Sequence, residues 1–258
     1  MSGKPIVRGR IRQAVCRWCF DKVPLAILAR DVASMGYLGL DLVDPAEWGI
    51  LKEHGLICTM TPSHGLEKGL NKRANHAECV AKIKAGIEAS AAAGFPNVIC
   101  FSGNREPGLS DEEGIRNCVA AGKEVAGLAE EKGITICFEL LNSKVDHPGY
   151  MCDHSAWGAE VVRRVGSERF KLLYDIYHMQ VQEGDVIATI HKLAPLIAHY
   201  HTAGVPGRHE IDDKQELNYP PIMRAIVETG FTGYVAQEFV PRGDGMNALR
   251  DAAAICDV

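Results

Sequence analysis

Eight short apolar runs alternate with eight helical segments along this chain, and that alternation constrains the fold more than any other feature. The runs predict strands over 11–19, 38–43, 56–61, 97–101, 134–140, 170–176, from Ile197, and over 234–239. The intervening segments predict helices over 25–35, 45–54, 76–93, 110–132, 155–165, 185–193, 219–229 and 246–256. The first helix carries Leu25, Leu28, Ala29 and Val32 at helical spacing. Punctuation agrees with these limits. Gly36, Gly55, Gly94, Gly133 and Gly230 follow helices, Pro45 opens one behind Asp44, and Ser110 precedes three acids. Such alternation demands parallel strands joined by right-handed crossovers. Eight units in 258 residues predict an α/β fold of one domain over 1–258, a closed (β/α)8 TIM barrel. An open doubly wound sheet would carry a glycine-rich phosphate loop after its first strand, and no G-x-G-x-x-G stands there.

Composition removes several function classes. The net charge is −5 and no basic run could track a phosphate backbone, so no nucleic-acid partner is expected. No apolar run approaches the ~18 residues of a membrane span, so no membrane association is expected. The N-terminus shows basic residues without an apolar stretch behind them, which argues against a secretory signal. Nine cysteines lie scattered through apolar segments, a pattern of reduced, buried thiols that points to the cytoplasm. Cys16 and Cys19 form a C-x-x-C without a second pair, inside a predicted strand, and read as core packing. Trp18 and Phe20 are expected to wall a pocket. The polar loop PSHGLEKGLNKR, with His64 and Lys68, reads as solvated and long enough for a lid. Met179 and Gln180 read as core and lead-in to a helix.

Four polar residues sit at the ends of predicted strands five to eight: Glu139, Asp175, His201 and Glu238. Their gaps of 36, 26 and 37 residues are each close to one barrel repeat. They would therefore gather at the C-terminal mouth. Any one of them alone would suit a helix cap or a lysine partner. Together, three neighbouring carboxylates would repel and force one to take up a proton. A divalent cation removes the conflict. Three oxygens with one imidazole suit Mn²⁺, Mg²⁺ or Co²⁺, and zinc is compatible too. His199 lies two residues before His201 and faces the same way, so strand alternation leaves the choice between them open.

LYDIYHMQ at 173–180, HTAGVPGRHE at 201–210 followed by ELNYP, and QEFVPRG at 237–243 resemble the hydroxypyruvate isomerase family. That family belongs to the xylose-isomerase-like TIM barrels, together with the ketose 3-epimerases. The resemblance covers about Ile134 to Gly243, and the first half matches only in strand–helix rhythm. It implies that Glu139, Asp175, His201 and Glu238 are the metal ligands and that Glu139 and Glu238 double as the acid/base pair. It also implies that His178 and Arg208 hold the substrate. Two departures stand out. His201 occupies a place where hydroxypyruvate isomerases have glutamine, as in H-x-Q, and a histidine there is more like the epimerases. Phe239-Val240-Pro241 replaces a common Tyr-Lys-Pro and removes a lysine beside the site.

The expected activity is an intramolecular oxidoreductase of the aldose–ketose type. It would act on a small sugar or hydroxy-oxo acid by proton transfer through an enediolate. Alternatives on the same scaffold are a ketose 3-epimerase and an oxo-sugar or cyclitol dehydratase. A metal-dependent nuclease would need more histidine ligands and a basic face, and an inactive sugar-binding relative would not need the carboxylate set. The lack of a glycine-rich loop favours an unphosphorylated substrate. The oligomeric state stays open, with a homo-oligomer among the expectations.

Overall fold

The computed structural model describes residues 6, 7 and 9–258. Its strands are β1 Arg12–Cys16, β2 Gly39–Asp41, β3 Ile57–Met60, β4 Asn97–Cys100, β5 Thr135–Leu140, β6 Phe170–Asp175, β7 Ile197–Thr202 and β8 Tyr234–Gln237. The α-helices are α1 Leu25–Met35, α2 Trp48–Glu53, α3 His76–Ala93, α4 Asp111–Lys132, α5 Ser155–Val165, α6 Ile176–Gln182, α7 Val186–Leu193, α8 Tyr219–Glu228 and α9 Gly245–Ile255. The strands form one parallel sheet in the order β3-β2-β1-β8-β7-β6-β5-β4. Just past β3, Thr61 pairs in parallel with Val98 of β4, so the two ends of that order meet in a nearly closed barrel. The expected (β/α)8 fold is what the chain adopts.

Chain contacts define two compact units. One contains the chain up to Thr59, with Asp185–Ala194 and His199–Val258. Here β1 lies between β2 and β8, with Ala14 opposite Gly39 and Ala236. Helix α1 buries Leu25, Leu28, Ala29, Val32 and Met35, an apolar stripe at helical spacing. It stops at Gly36, whose φ of 98° is left-handed backbone that suits glycine. The Asp244 carboxylate caps α9 by accepting from the Met246 and Asn247 amides.

The other unit contains Met60–Gly184 with Pro195–Ala198. Phe138 of β5 packs on Trp157 of α5 and Phe170 of β6, at ring separations of 6.3 and 5.7 Å. Ser110 caps α4, which opens on Asp111, Glu112 and Glu113 as the helix dipole favours.

The loop after β3 is solvated only in part: Gly65, Glu67 and Lys68 are exposed as expected, while Gly69, Leu70 and Asn71 are buried. Leu70 donates to the Phe101 carbonyl at 3.1 Å and Asn71 to that of Ser102 at 2.8 Å. Gly69 lies so close to Ser102 and Gly103 that a Cβ would strike their backbone. His64 is buried, with Nδ1 2.9 Å from the Lys68 carbonyl.

Strand ends also fall short of expectation, most clearly where the chain turns. β1 stops at Cys16 and Arg17–Phe20 turn into a 3-10 helix. The Cys16–Cys19 pair therefore straddles a strand end, and both thiols are buried and free. Burial raises the Cys16 thiol well above its usual pKa, contrary to the needs of a reactive thiolate. β6 stops at Asp175, because its carboxylate accepts from the His178 amide at 3.1 Å and starts α6. Residues 176–182, expected as strand end and lead-in, are thus a helix of their own. β8 stops at Gln237, one residue before Glu238.

Candidate metal centre and active site

The polar residues singled out from the sequence lie at C-terminal strand ends, where barrels of this kind hold their chemistry. Asp175 ends β6, Glu139 and His201 are next to last in β5 and β7, and Glu238 follows β8. All four are buried, at most 4% exposed. His201 and Glu238 belong to the first unit, with Nδ1 of His201 2.9 Å from Oε2 of Glu238, and Glu139 and Asp175 belong to the second. Burial without a counterion is costly for a carboxylate, so a cluster of this composition suits a cation.

In the first unit, Glu238 is gripped at both oxygens. The Trp18 indole N–H donates to Oε1 at 2.7 Å, and the Cys16 thiol approaches the same oxygen at 3.3 Å. The Arg208 guanidinium donates to Oε2. His201 Nδ1 lies 2.9 Å from Oε2, off the line of a good hydrogen bond. Arg208 also sits over the Trp18 ring, 5.2 Å from its centre. Burial pushes the Glu238 pKa upward. Attraction to His201 and Arg208, with the Trp18 hydrogen bond, overcomes that and holds it well below the usual value.

The loops behind β7 and β8 join here. The Val240 amide donates to the Arg208 carbonyl at 2.8 Å. The His209 ring contacts the Val240 carbonyl at 2.9 Å, and Glu210 accepts from Arg242.

Behind His201 stands Asp41, the last residue of β2 and wholly buried. Its Oδ2 lies 2.7 Å from His199 Nε2 and 3.0 Å from His201 Nε2. The Thr59 hydroxyl donates to Oδ1. Burial would raise the Asp41 pKa, but attraction to His199 and hydrogen bonds from both imidazoles lower it well below the usual value. The sequence reading did not single out Asp41. Its only signal was an aspartate closing the apolar run LGLD, whereas its histidine partners lie 158 and 160 residues further on.

In the second unit, Tyr150 fixes the end of β5. Its hydroxyl donates to the Glu139 carbonyl and accepts from the Ser102 amide, both at 3.0 Å. His178 lies beside Asp175, with Nε2 3.6 Å from Oδ2. Its Nδ1 is 2.7 Å from Nδ2 of Asn142. An amide nitrogen only donates, so Nδ1 accepts and the proton resides on Nε2. Asn142 also takes the Val145 and Asp146 amides on Oδ1, each at 3.0 Å. It is the organiser of the 142–147 turn, and the sequence reading passed over it although it closes FELLN.

The chain matches the family model described as xylose isomerase-like TIM barrel over residues 46–256. It is 29% identical over 242 residues to the 2-oxo-tetronate isomerase of Haemophilus influenzae, covering 89% of this chain and 93% of that one. It is 30% identical over 127 residues to a human protein provisionally named hydroxypyruvate isomerase. That alignment spans 49% of this chain and only 46% of the human protein, about half its length. Among solved structures, an AP endonuclease, family 2, from Brucella melitensis superposes with a TM-score of 0.84 at 25% identity, covering 94% of this chain and 97% of that one. A D-psicose 3-epimerase superposes with a TM-score of 0.74 at 18% identity over 96% of this chain and 95% of its own, a likeness of fold. With the barrel, the strand-end cluster and a family match over most of its length, the chain belongs to the xylose isomerase-like TIM barrel family.

Proposed function

We propose that this protein is a divalent-metal-dependent isomerase of a small hydroxy-carbonyl compound, either a hydroxypyruvate-like acid or a sugar. The observation that carries the reading is that Glu139, Asp175, His201 and Glu238, three carboxylates and an imidazole, are all buried at the C-terminal ends of strands β5 to β8. The names of the isomerase relatives and of the structurally similar epimerase support the same substrate class. The barrel acts as one domain, a reading supported by the family match over 46–256.

Those four residues would hold the ion, with Mn²⁺, Mg²⁺ or Co²⁺ suiting their donor set and zinc compatible. When bound, it would polarise the substrate carbonyl and stabilise charge in the enediolate. The chain's own residues move the proton. One of Glu139 and Glu238 takes it from the carbon beside the carbonyl, and the other returns a proton. Return to the neighbouring carbon isomerises, and return to the opposite face of the same carbon epimerises. His178, holding its proton on Nε2, would donate to a substrate oxygen. Arg208 would hold the substrate from its place against Glu238.

No described helix is long and apolar enough to cross a membrane. A cytoplasmic setting belongs to the same proposal, supported by nine free, buried thiols. The Brucella likeness raises a nuclease reading, which a net charge of −5 does not favour for a polyanionic substrate.

The test is the metal content of the purified protein beside an Asp175→Ala variant, followed by proton exchange of hydroxypyruvate and ketoses in D₂O. About one ion per chain, lost in the variant, with exchange at the carbon beside the carbonyl, supports the reading. Failure of the unaltered protein to bind Mn²⁺ sinks it.

A further inference from the structure

We infer that Asp41 is a positioning residue that decides which nitrogen of His201 is offered to a metal ion. The inference rests on the metal reading above. An ionised carboxylate only accepts, so the imidazole nitrogen 3.0 Å from Asp41 Oδ2 must bring a proton. That nitrogen is Nε2. The lone pair available for a metal is then on Nδ1, which lies 2.9 Å from Oε2 of Glu238. The His201 ring, set between Asp41 and Glu238, is wholly buried. A histidine held from behind by a carboxylate is the arrangement that fixes tautomer and ring orientation at metal sites.

The same contact separates two histidines that strand alternation leaves equivalent. His199 and His201 both turn Nε2 toward Asp41 Oδ2. Of the two, it is His201 whose Nδ1 lies beside Glu238, 2.9 Å from Oε2. His199 instead acts as a second clamp on the carboxylate, and the Thr59 hydroxyl on Oδ1 is the third. With Oδ1 accepting from Thr59 and Oδ2 facing both imidazoles, Asp41 is clamped in place behind His201.

Two measurements test this. The first is ¹⁵N NMR of the histidine side chains in the unaltered protein, metal-free and with Mg²⁺ or Zn²⁺ added. His201 should carry a proton on Nε2 throughout, and the metal should perturb Nδ1. An Nε2 that loses its proton or takes the metal overturns the inference, and no substitution is needed to see it. The second is Mn²⁺ binding followed by electron paramagnetic resonance in Asp41→Asn, with circular dichroism as a check on folding. Affinity should fall about 10- to 100-fold. Unchanged affinity in a folded variant overturns the role of Asp41. If the unaltered protein binds no Mn²⁺, the four-ligand reading fails first and the inference with it, a result distinct from binding that Asp41→Asn leaves intact.

Discussion

The indole N–H of Trp18 donates to Oε1 of Glu238 at 2.7 Å, tying the first βα loop to a carboxylate just past the last strand. Trp18 is 41% exposed, so the contact is more than core packing. A hydrogen bond to an ionised group is worth about 1.5–3 kcal/mol. Trp18→Phe keeps a ring beneath Arg208 and removes only the donor. Turnover should fall about 10- to 100-fold while the melting temperature moves little, as steady-state kinetics and a thermal scan would show. Unchanged turnover would mean that Arg208 alone positions Glu238.

Glu139→Gln and Glu238→Gln preserve shape and remove the proton-carrying group. Each should lower solvent-proton exchange by about 100- to 10,000-fold, the range that acid–base catalysis supplies. Circular dichroism should show both variants folded. Near-normal exchange in either would remove that residue from the acid/base pair.

Acid should weaken the metal-free protein. Asp41 and Glu238 both titrate lower in the folded state than in the unfolded chain. Their contribution to stability is complete above the unfolded carboxylate range of about 4 and is lost progressively as pH falls below it. Urea denaturation between pH 7 and pH 3 should show that decline. Asp41→Asn should start less stable and decline less. An equal slope in both proteins would contradict the assignment for Asp41.

Gly69→Ala should destabilise the fold through backbone contact. A Cβ there meets the main chain of Ser102 and Gly103, which cannot rotate away as a side chain could. The cost of such overpacking is typically about 1–3 kcal/mol. Chemical denaturation would measure it, and a loss below about 0.5 kcal/mol would show that the two loops separate freely.

Local structure was readable where local chemistry decides it. The limits of α1, α3 and α5 follow from apolar spacing and from the glycines behind them. The capping roles of Asp44 and Ser110 follow from side chains that reach nearby amides. The strand ends read too long wherever a polar residue turns the chain, as Asp175 does into α6. Within the site, the spacing of Glu139, Asp175, His201 and Glu238 was visible because the barrel repeat brings strand ends into phase. Asp41 was hidden because its role depends on partners far along the chain. Trp18 was expected to contribute an apolar face, and its N–H donates to Glu238 as well. His64 was expected in solvent, but the packing of Gly69 on Ser102 and Gly103 draws its loop inward.

The pairing of Arg208 with Val240, of the His209 ring with Val240, and of Glu210 with Arg242 has a bearing on how this protein could be altered. The segments after β7 and β8 are bonded into a single unit rather than two independent ones. Grafting one of them from a relative would leave donors and acceptors of the other stranded. Changes of specificity at this end of the barrel should therefore arrive as paired exchanges of both segments, in laboratory evolution as in natural divergence.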